Sequence, residues 1–383
     1  MDKKNKNPNV PNLRFSYKGD WSKRKLNEIC LFFKGNGLSK SDLSNEGFPC
    51  ILYGELYTTY KNEVISDIIS KTNTTLSNPF LSRNNDLIIP GSGEDPIDIA
   101  VARAIYRNDI ILGGDLNILR PKSNVSAAFL SYQLNGVRRY DIAKKAQGKS
   151  IVHLHNSDLK EVLVSIPSYD EQLHIVKLLT KIDEMIETQS KIINDYKLLK
   201  KYITKSFIKQ KGTSYLLSEI AKLGRGRVIS SAEISKQKNP IYPVYSSQTS
   251  NNGVMGYLDN YDYEGEYITW TTDGANAGTV YYRNGKFNCT NVCGILKIKN
   301  GYDAYYISNI LSFYTKKYVS TNLANPKLMN NVMANIKINL PSIERQKYFS
   351  NILKSIEYRV KIEQDIKLNL VKQKVFLLKN MFL

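Results

Sequence analysis

One helical segment occurs twice in this chain, 174 positions apart, and that repeat limits the fold more than any other feature. Ile166-Pro167-Ser168 opens the first copy and Leu340-Pro341-Ser342 the second. Without a gap, Gln172 then matches Gln346, Leu179 matches Leu353, Ile182 matches Ile356, Asp183 matches Glu357, Ile192 matches Ile366 and Lys200 matches Lys374. Each copy follows a region rich in turns, strand-like runs and aromatics. The order is globule, helix, globule, helix: a polar arm over 1–12, a first globule over 13–166, a spacer helix over 167–211, a second globule over 212–340 and a second spacer over 341–383. A duplicated rigid spacer carrying two globules suits a molecule that touches two places at a fixed separation.

The spacers carry helical periodicity. Ile182, Met185, Ile192, Tyr196, Leu199 and Ile203 fall at spacings of a helix face in the first copy; Ile356, Val360, Ile366, Leu370 and Leu377 do so in the second. The Ser168 and Ser342 hydroxyls are placed to cap the helix starts, and Glu171 and Glu344 lie in the first turns, where the helix dipole favours negative charge. About 40 residues at 1.5 Å each give a rod of roughly 60 Å. A lone helix would leave its stripe exposed, so the two are expected to pair as an antiparallel coiled coil, which gives the halves pseudo-two-fold symmetry. Gln189 and Glu363 interrupt the stripes at matching places near mid-helix. They are expected to lie close across the pair and fix its register; the alternative is that both face solvent. The fold class is α+β, with two globules of mixed α/β type.

Within the globules, Asp86–Pro90, Asp109–Gly114, Tyr267–Thr271 and Val292–Ile298 read as strands, and Ser126–Leu134 and Ala304–Lys317 as helices. Tyr106-Arg107-Asn108 and Tyr282-Arg283-Asn284 hold comparable places before a strand and a helix. Residue by residue the two globules are weakly alike, which suggests duplication followed by divergence.

With 383 residues and 42% hydrophobic content, the chain is long enough for two or more domains with real cores. It carries 26 tyrosines, whose rings offer an apolar body and a hydrogen-bonding tip. The net charge of +19 favours a polyanion such as DNA or RNA, or an acidic protein. The arm, both globules and both spacers are each mildly positive, as suits a long anionic partner running past the whole molecule. Cys30, Cys50, Cys289 and Cys293 show no disulfide framework. Cys289 and Cys293 lack a nearby histidine, since the three histidines are His153, His155 and His174, so buried reduced thiols are expected rather than a metal site. There is no signal-peptide pattern and no bilayer-length apolar run; the start, Met1-Asp2-Lys3-Lys4-Asn5-Lys6, is polar. A cytoplasmic protein is expected.

Catalytic motifs are missing. Gly148-Lys149-Ser150 ends like a phosphate loop, but Ala143 stands where that loop needs glycine. Gly224-Arg225-Gly226 is too short for a dinucleotide fingerprint. Asn78-Pro79-Phe80 is similar to part of an amino-methyltransferase loop but lacks its second proline, and no glycine-rich cofactor loop accompanies it. No nuclease carboxylate–lysine cluster or nucleophile–histidine set can be assembled. Recognition, rather than catalysis, is indicated.

The arrangement resembles the specificity subunit of type I DNA restriction-modification systems. The resemblance rests on Pro167-Ser168-Tyr169-Asp170-Glu171-Gln172 and Pro341-Ser342-Ile343-Glu344-Arg345-Gln346, on Trp21–Ile29 leading to Lys34-Gly35, on Leu217–Ile220 leading to Gly224-Arg225-Gly226, and on Tyr242–Thr249. It implies two target-recognition domains, each reading half of a split double-stranded DNA sequence. It implies helices that set the gap and dock two methyltransferase (modification) subunits, with restriction (translocase-nuclease) subunits joining that core. S-adenosylmethionine, ATP and Mg2+ would then belong to the partner subunits, with no cofactor, metal or catalytic residue in this chain and no membrane partner.

Base readout needs donors and acceptors on loops that enter the major groove, with basic groups on phosphates. In the first globule the candidates are Tyr53, Gly54, Glu55, Tyr57 and Thr58, then Ser92, then the basic run Arg138, Arg139, Lys144, Lys145 and Lys149. In the second they are Ser246, Ser247, Gln248 and Thr249 with Asn251 and Asn252, then Thr271, Thr272, Asp273 and Asn276. Two half-sites read from one face of B-DNA should lie roughly 10 base pairs apart. Three other readings compete: a self-contained DNA-modifying enzyme, a coiled-coil adaptor whose charge is incidental, and the DNA-reading subunit of a smaller system with a fused modification-nuclease polypeptide.

Overall fold

The computed structural model describes residues 9–320 and 325–383; most of the polar arm, residues 1–8, lies outside the described residues. Two compact units emerge, and the division cuts both long helices. One unit runs to Lys191 and includes Gln364–Leu383; the other is Ile192–Glu363.

In the first unit the principal strands are β1 (Cys30–Lys34), β2 (Phe48–Ile51), β3 (Asp86–Pro90), β4 (Arg103–Ile105), β5 (Ile111–Leu112) and β6 (Leu116–Pro121). They are followed by helices α1 (Ala127–Asn135) and α2 (Tyr169–Ile208). A five-stranded sheet has the order β1-β6-β3-β4 with Val64–Ile65 at its edge. A second sheet contains β5 beside β2 in parallel, then Ser70–Thr72 and Leu43–Ser44. The run of apolar residues in Asp86-Leu87-Ile88-Ile89-Pro90 is buried throughout, as a central strand with both faces covered should be. The predicted strand over Asp109–Gly114 is shorter, because Asp109 turns the chain in a left-handed conformation before Ile111.

The second unit repeats this plan with β7 (Ala221–Arg225), β8 (Tyr242–Tyr245), β9 (Tyr267–Thr271), β10 (Val280–Arg283), β11 (Lys286–Cys289) and β12 (Cys293–Ile298), then α3 (Ala304–Tyr314) and α4 (Ile343–Asn380). Its first sheet has the order β7-β12-β9-β10, the same as β1-β6-β3-β4. In its second sheet β8 lies parallel to β11, as β2 lies parallel to β5. Strand register corrects one match made on sequence. Tyr267 faces Arg283 and Asp86 faces Ile105, so Arg283 is level with Ile105, and Tyr106-Arg107-Asn108 is displaced by two residues from Tyr282-Arg283-Asn284.

The glutamine shared by the two Pro-Ser segments has the same task in each unit. The Gln172 side-chain carbonyl accepts from the Ser126 amide at 2.9 Å, at the start of α1, and its amide donates to the Pro167 carbonyl at 3.1 Å. The Gln346 side chain accepts from the Asp303 amide at 3.0 Å, at the start of α3, and donates to the Pro341 carbonyl at 2.9 Å. Each globule is thereby bonded to the first turns of the long helix that follows it, and an otherwise orphaned helix-start amide gains a partner.

In both units the two helix segments run antiparallel. In the first, Lys374 of α4 meets Asp183 of α2, while Leu377, Met381 and Phe382 pack with Ile175, Leu179 and Ile182. In the second, Arg345 bonds Gln210 and Phe349 stacks on Phe207 at 3.5 Å between ring centroids. The buried stripe departs from the sequence-based one. Met185, Leu199 and Ile366 are 46%, 45% and 43% exposed. In α2 the inward positions are Ile182, Gln189, Ile193, Thr204 and Phe207, with Ile186 half-buried. Met185 and Ile186 are about 100° apart around the axis, so only one of them can face inward. Gln189 is buried in the first unit and Glu363 half-buried in the second.

Candidate nucleic-acid interface

Backbone hydrogen bonding defines one edge of each globule, and it does so identically in both. The Gly113 amide donates to the Ile51 carbonyl at 2.9 Å and the Gly91 amide to the Asp115 carbonyl at 2.6 Å. The Gly35 amide donates to Leu116 at 3.0 Å and the Asn36 amide to Leu112 at 3.1 Å. In the second globule the Thr290 amide donates to Tyr245 at 2.9 Å, the Thr272 amide to Val292 at 3.0 Å, Gly226 to Cys293 at 3.2 Å and Arg227 to Cys289 at 3.1 Å. Three strand ends and one turn are thus tied together in each globule, and the loops that leave them emerge side by side. Gly35 and Gly226 are glycines for one reason. A Cβ on Gly35 would lie 2.1 Å from the Gly113 carbonyl oxygen, and one on Gly226 would lie 2.2 Å from that of Cys289.

The candidate loops sit on these edges. In the first globule, Tyr53, Gly54, Thr58, Leu38, Ser39 and Asp115 help line a cleft of 690 Å³. Thr58 is exposed, while Tyr53, Gly54 and Tyr57 are half-buried, and burial pushes the Tyr57 hydroxyl up from its ordinary pKa. Glu55 is engaged internally: it accepts from the Leu52 amide at 2.7 Å and from the Ser70 hydroxyl. Ser92 is buried, its hydroxyl bonded to Asp115 at 3.1 Å. The basic run divides into two kinds of residue. Arg138 donates to the Leu383 carbonyl at 3.0 Å and Arg139 to the Ile97 carbonyl at 3.0 Å, so both brace the fold. Lys144 and Lys149 are exposed and Lys145 half-buried.

In the second globule, Asn251 and Asn252 form an exposed tip with φ of 47° and 51°. Asparagine tolerates this left-handed conformation better than most residues, and two in succession turn the loop sharply. Thr249 is exposed; Ser246, Ser247 and Gln248 are half-buried, and the Gln248 amide donates to the Val254 carbonyl. Thr271 and Thr272 are buried at the base of the β9–β10 hairpin, whereas Asp273 and Asn276 are half-buried near its tip. Asp273 accepts from the Thr272 hydroxyl at 2.5 Å and lies 3.4 Å from Arg225 and 3.9 Å from Lys327, so cations surround the one acid of this tip. Lys316 donates to the Ala277 carbonyl at 3.0 Å.

Two arginines that the sequence does not single out as site residues support the loops from beneath. Arg103 donates to the Leu56 and Tyr60 carbonyls, and Arg283 to the Asn252 carbonyl. Among the described residues there is no group of three or more His, Cys, Asp or Glu able to hold a metal ion, and no helix long and apolar enough to cross a membrane. All four cysteines are buried and free.

Residues 18–197 and 212–373 both match the model of the type I restriction modification DNA specificity domain. A putative type I specificity subunit of Mycoplasma pneumoniae is 35% identical over 216 residues, covering 54% of this chain and 80% of that protein. Another from the same organism is 38% identical over 161 residues, covering 42% and 43% of the two chains. The type I restriction enzyme MpnII specificity subunit of Mycoplasma pneumoniae is 41% identical over 146 residues, covering 38% and 43%. The matched part thus spans under half the length of the last two relatives. The crystal structure of a type I restriction-modification system S subunit from M. genitalium shares this fold, with a TM-score of 0.67 at 17% identity over 98% of this chain and 99% of that one. Two matched domains, a repeated edge and a shared fold have one explanation: the chain belongs to the family of type I restriction modification DNA specificity domains and carries two of them in tandem.

Proposed function

We propose that this chain reads a split target in double-stranded DNA, one half with each globule edge. The observation that carries this reading is the edge itself. Its backbone hydrogen bonds recur in both globules, while the loops projecting from it differ in length and side chains. A common frame with divergent loops is what two readers of different base sequences need. Thr58, Thr249, Asn251, Asn252 and Asn276 are the base-reading candidates, and Lys144 and Lys149 the phosphate contacts.

On this reading the long helices set the unread gap and dock two methyltransferase subunits, through which restriction subunits join. Exposed apolar side chains on them, including Tyr202, Tyr348, Tyr358, Val375 and Phe376, suit such docking. Gln189 and Glu363 hold the register of the pair. S-adenosylmethionine, ATP and Mg2+ belong to the partners, the chain itself contributes no catalytic residue, and the complex works in the cytoplasm. The test is to replace residues 212–340 with the corresponding domain of a relative that has another target. One half of the methylated motif should change, with the other half and the gap kept; a motif altered in both halves contradicts the assignment.

A further inference from the structure

Arg103 and Arg283 are each only 6% exposed, and neither is ion-paired among the described residues. A buried cation with no carboxylate in direct contact is costly and depends on its hydrogen bonds. Burial lowers both guanidinium pKa values from the ordinary arginine value. Both side chains come from the equivalent strand, β4 in one globule and β10 in the other, though not from equivalent positions on it.

Their partners are backbone carbonyls of the candidate loops. Arg103 donates through Nε to Leu56 at 3.1 Å and through Nη2 to Tyr60 at 3.0 Å, which holds the carbonyl end of the short helix over Glu55–Thr58 and the turn that follows it. Arg283 lies between two rings, with its Cζ 3.5 Å from the Tyr245 centroid and 4.3 Å from that of Tyr281. Its Nε donates to the Thr269 hydroxyl at 3.2 Å and its Nη2 to the Asn252 carbonyl at 2.8 Å. Gly253, at φ +85°, leaves room for it: a Cβ there would come within 3.1 Å of Nη2. The planar fork is therefore oriented by stacking and holds the loop where Asn251 and Asn252 adopt their left-handed turn.

We infer that Arg103 and Arg283 are positioning residues for specificity, each holding the base-reading loop of its own globule. This rests on the reading of those loops as DNA contacts. Lysine keeps the charge but loses the planar fork, so Arg283→Lys lets the 246–253 loop move and Arg103→Lys the 53–60 loop.

The test uses the full chain co-expressed with its methyltransferase subunits, with N6-methyladenine mapped at matched and singly mismatched sites and complex assembly followed in parallel. Arg283→Lys should raise methylation at sites mismatched in the half read by the second globule, by roughly 5- to 150-fold relative to matched sites, and leave the other half strict. Arg103→Lys should do the reverse. Thr269→Val, which removes only the hydroxyl that orients Arg283, should give a smaller relaxation of the same half if Arg283→Lys fails to assemble. Destabilisation alone would lower methylation at all sites without changing the motif, and that result overturns the inference while leaving the two-edge reading intact. A wild-type motif that is not split would overturn both.

Discussion

Lys374 contacts Asp183 at 2.6 Å and Glu63 at 2.6 Å, while Tyr132 donates to the same Asp183 at 2.6 Å. One cation thus joins the helix pair to the globule inside a buried site. Lys374 is 15% exposed, Glu63 8% and Asp183 6%. The repeat places Lys200 and Glu357 where Lys374 and Asp183 stand, and these also pair, but with side-chain exposures of 28% and 47%. Duplication has kept the ion pair in both units and buried only one of them. Burial and Asp183 hold the Tyr132 hydroxyl well above its ordinary pKa, so it remains a donor.

Removing the cation should therefore have unequal effects. Lys374→Met takes the lysine counter-ion from two buried carboxylates, Glu63 and Asp183, and should cost about 3–5 kcal/mol. Lys200→Met breaks a more exposed pair and should cost at most about 1 kcal/mol. Denaturant unfolding of the two variants checks this, and equal losses would contradict it.

The glutamine clamps should matter in both units. Gln172→Leu removes the partner of the Ser126 amide and Gln346→Leu that of the Asp303 amide. Each leaves a helix-start donor unsatisfied, at a cost of about 1–3 kcal/mol. The drop in melting temperature of each variant measures it, and a neutral result would remove the clamp from the account.

Gly226→Ala should damage reading in the second half-site and Gly35→Ala in the first. A Cβ 2.2 Å or 2.1 Å from a carbonyl oxygen forces the turn to shift, at about 1–3 kcal/mol. Methylation of singly mismatched sites reads the outcome.

Base-reading and phosphate-binding side chains should separate in DNA binding by the assembled complex. Asn251→Ala should relax one base position at about 1–3 kcal/mol. Lys149→Ala should weaken binding to all sequences alike and reduce the salt slope by about 0.9. Titration against a panel of singly substituted duplexes at several salt concentrations distinguishes the two patterns.

The parts of this fold legible in sequence were those set by local chemistry. The paired Pro-Ser-x-x-x-Gln segments mark helix starts, and periodicity marks the rods. Periodicity does not resolve which of two neighbours turns inward, which is why Met185 and Leu199 are exposed while Ile193 and Phe207 are buried. The equivalence of Gly35 with Gly226 lies in backbone hydrogen bonds between segments far apart in the chain, with loops of different length between them. The roles of Arg103 and Arg283 are not legible in sequence, although Arg283 stands in the Tyr282-Arg283-Asn284 segment, because a buried arginine is a tertiary outcome and nothing next to it in sequence requires it. Ser92, Arg138 and Arg139 had the right chemistry for DNA contact, yet Ser92 and Arg139 are bonded within their own globule and Arg138 to the Leu383 carbonyl.

The central claim is that two edges of one chain read two halves of one target. The most direct measurement is to co-express the chain with its methyltransferase subunit and map N6-methyladenine across the host DNA, with and without this chain. A motif of two specified parts separated by an unread gap, present only when the chain is present, is the predicted result. A continuous short motif, or methylation that persists without the chain, would contradict it.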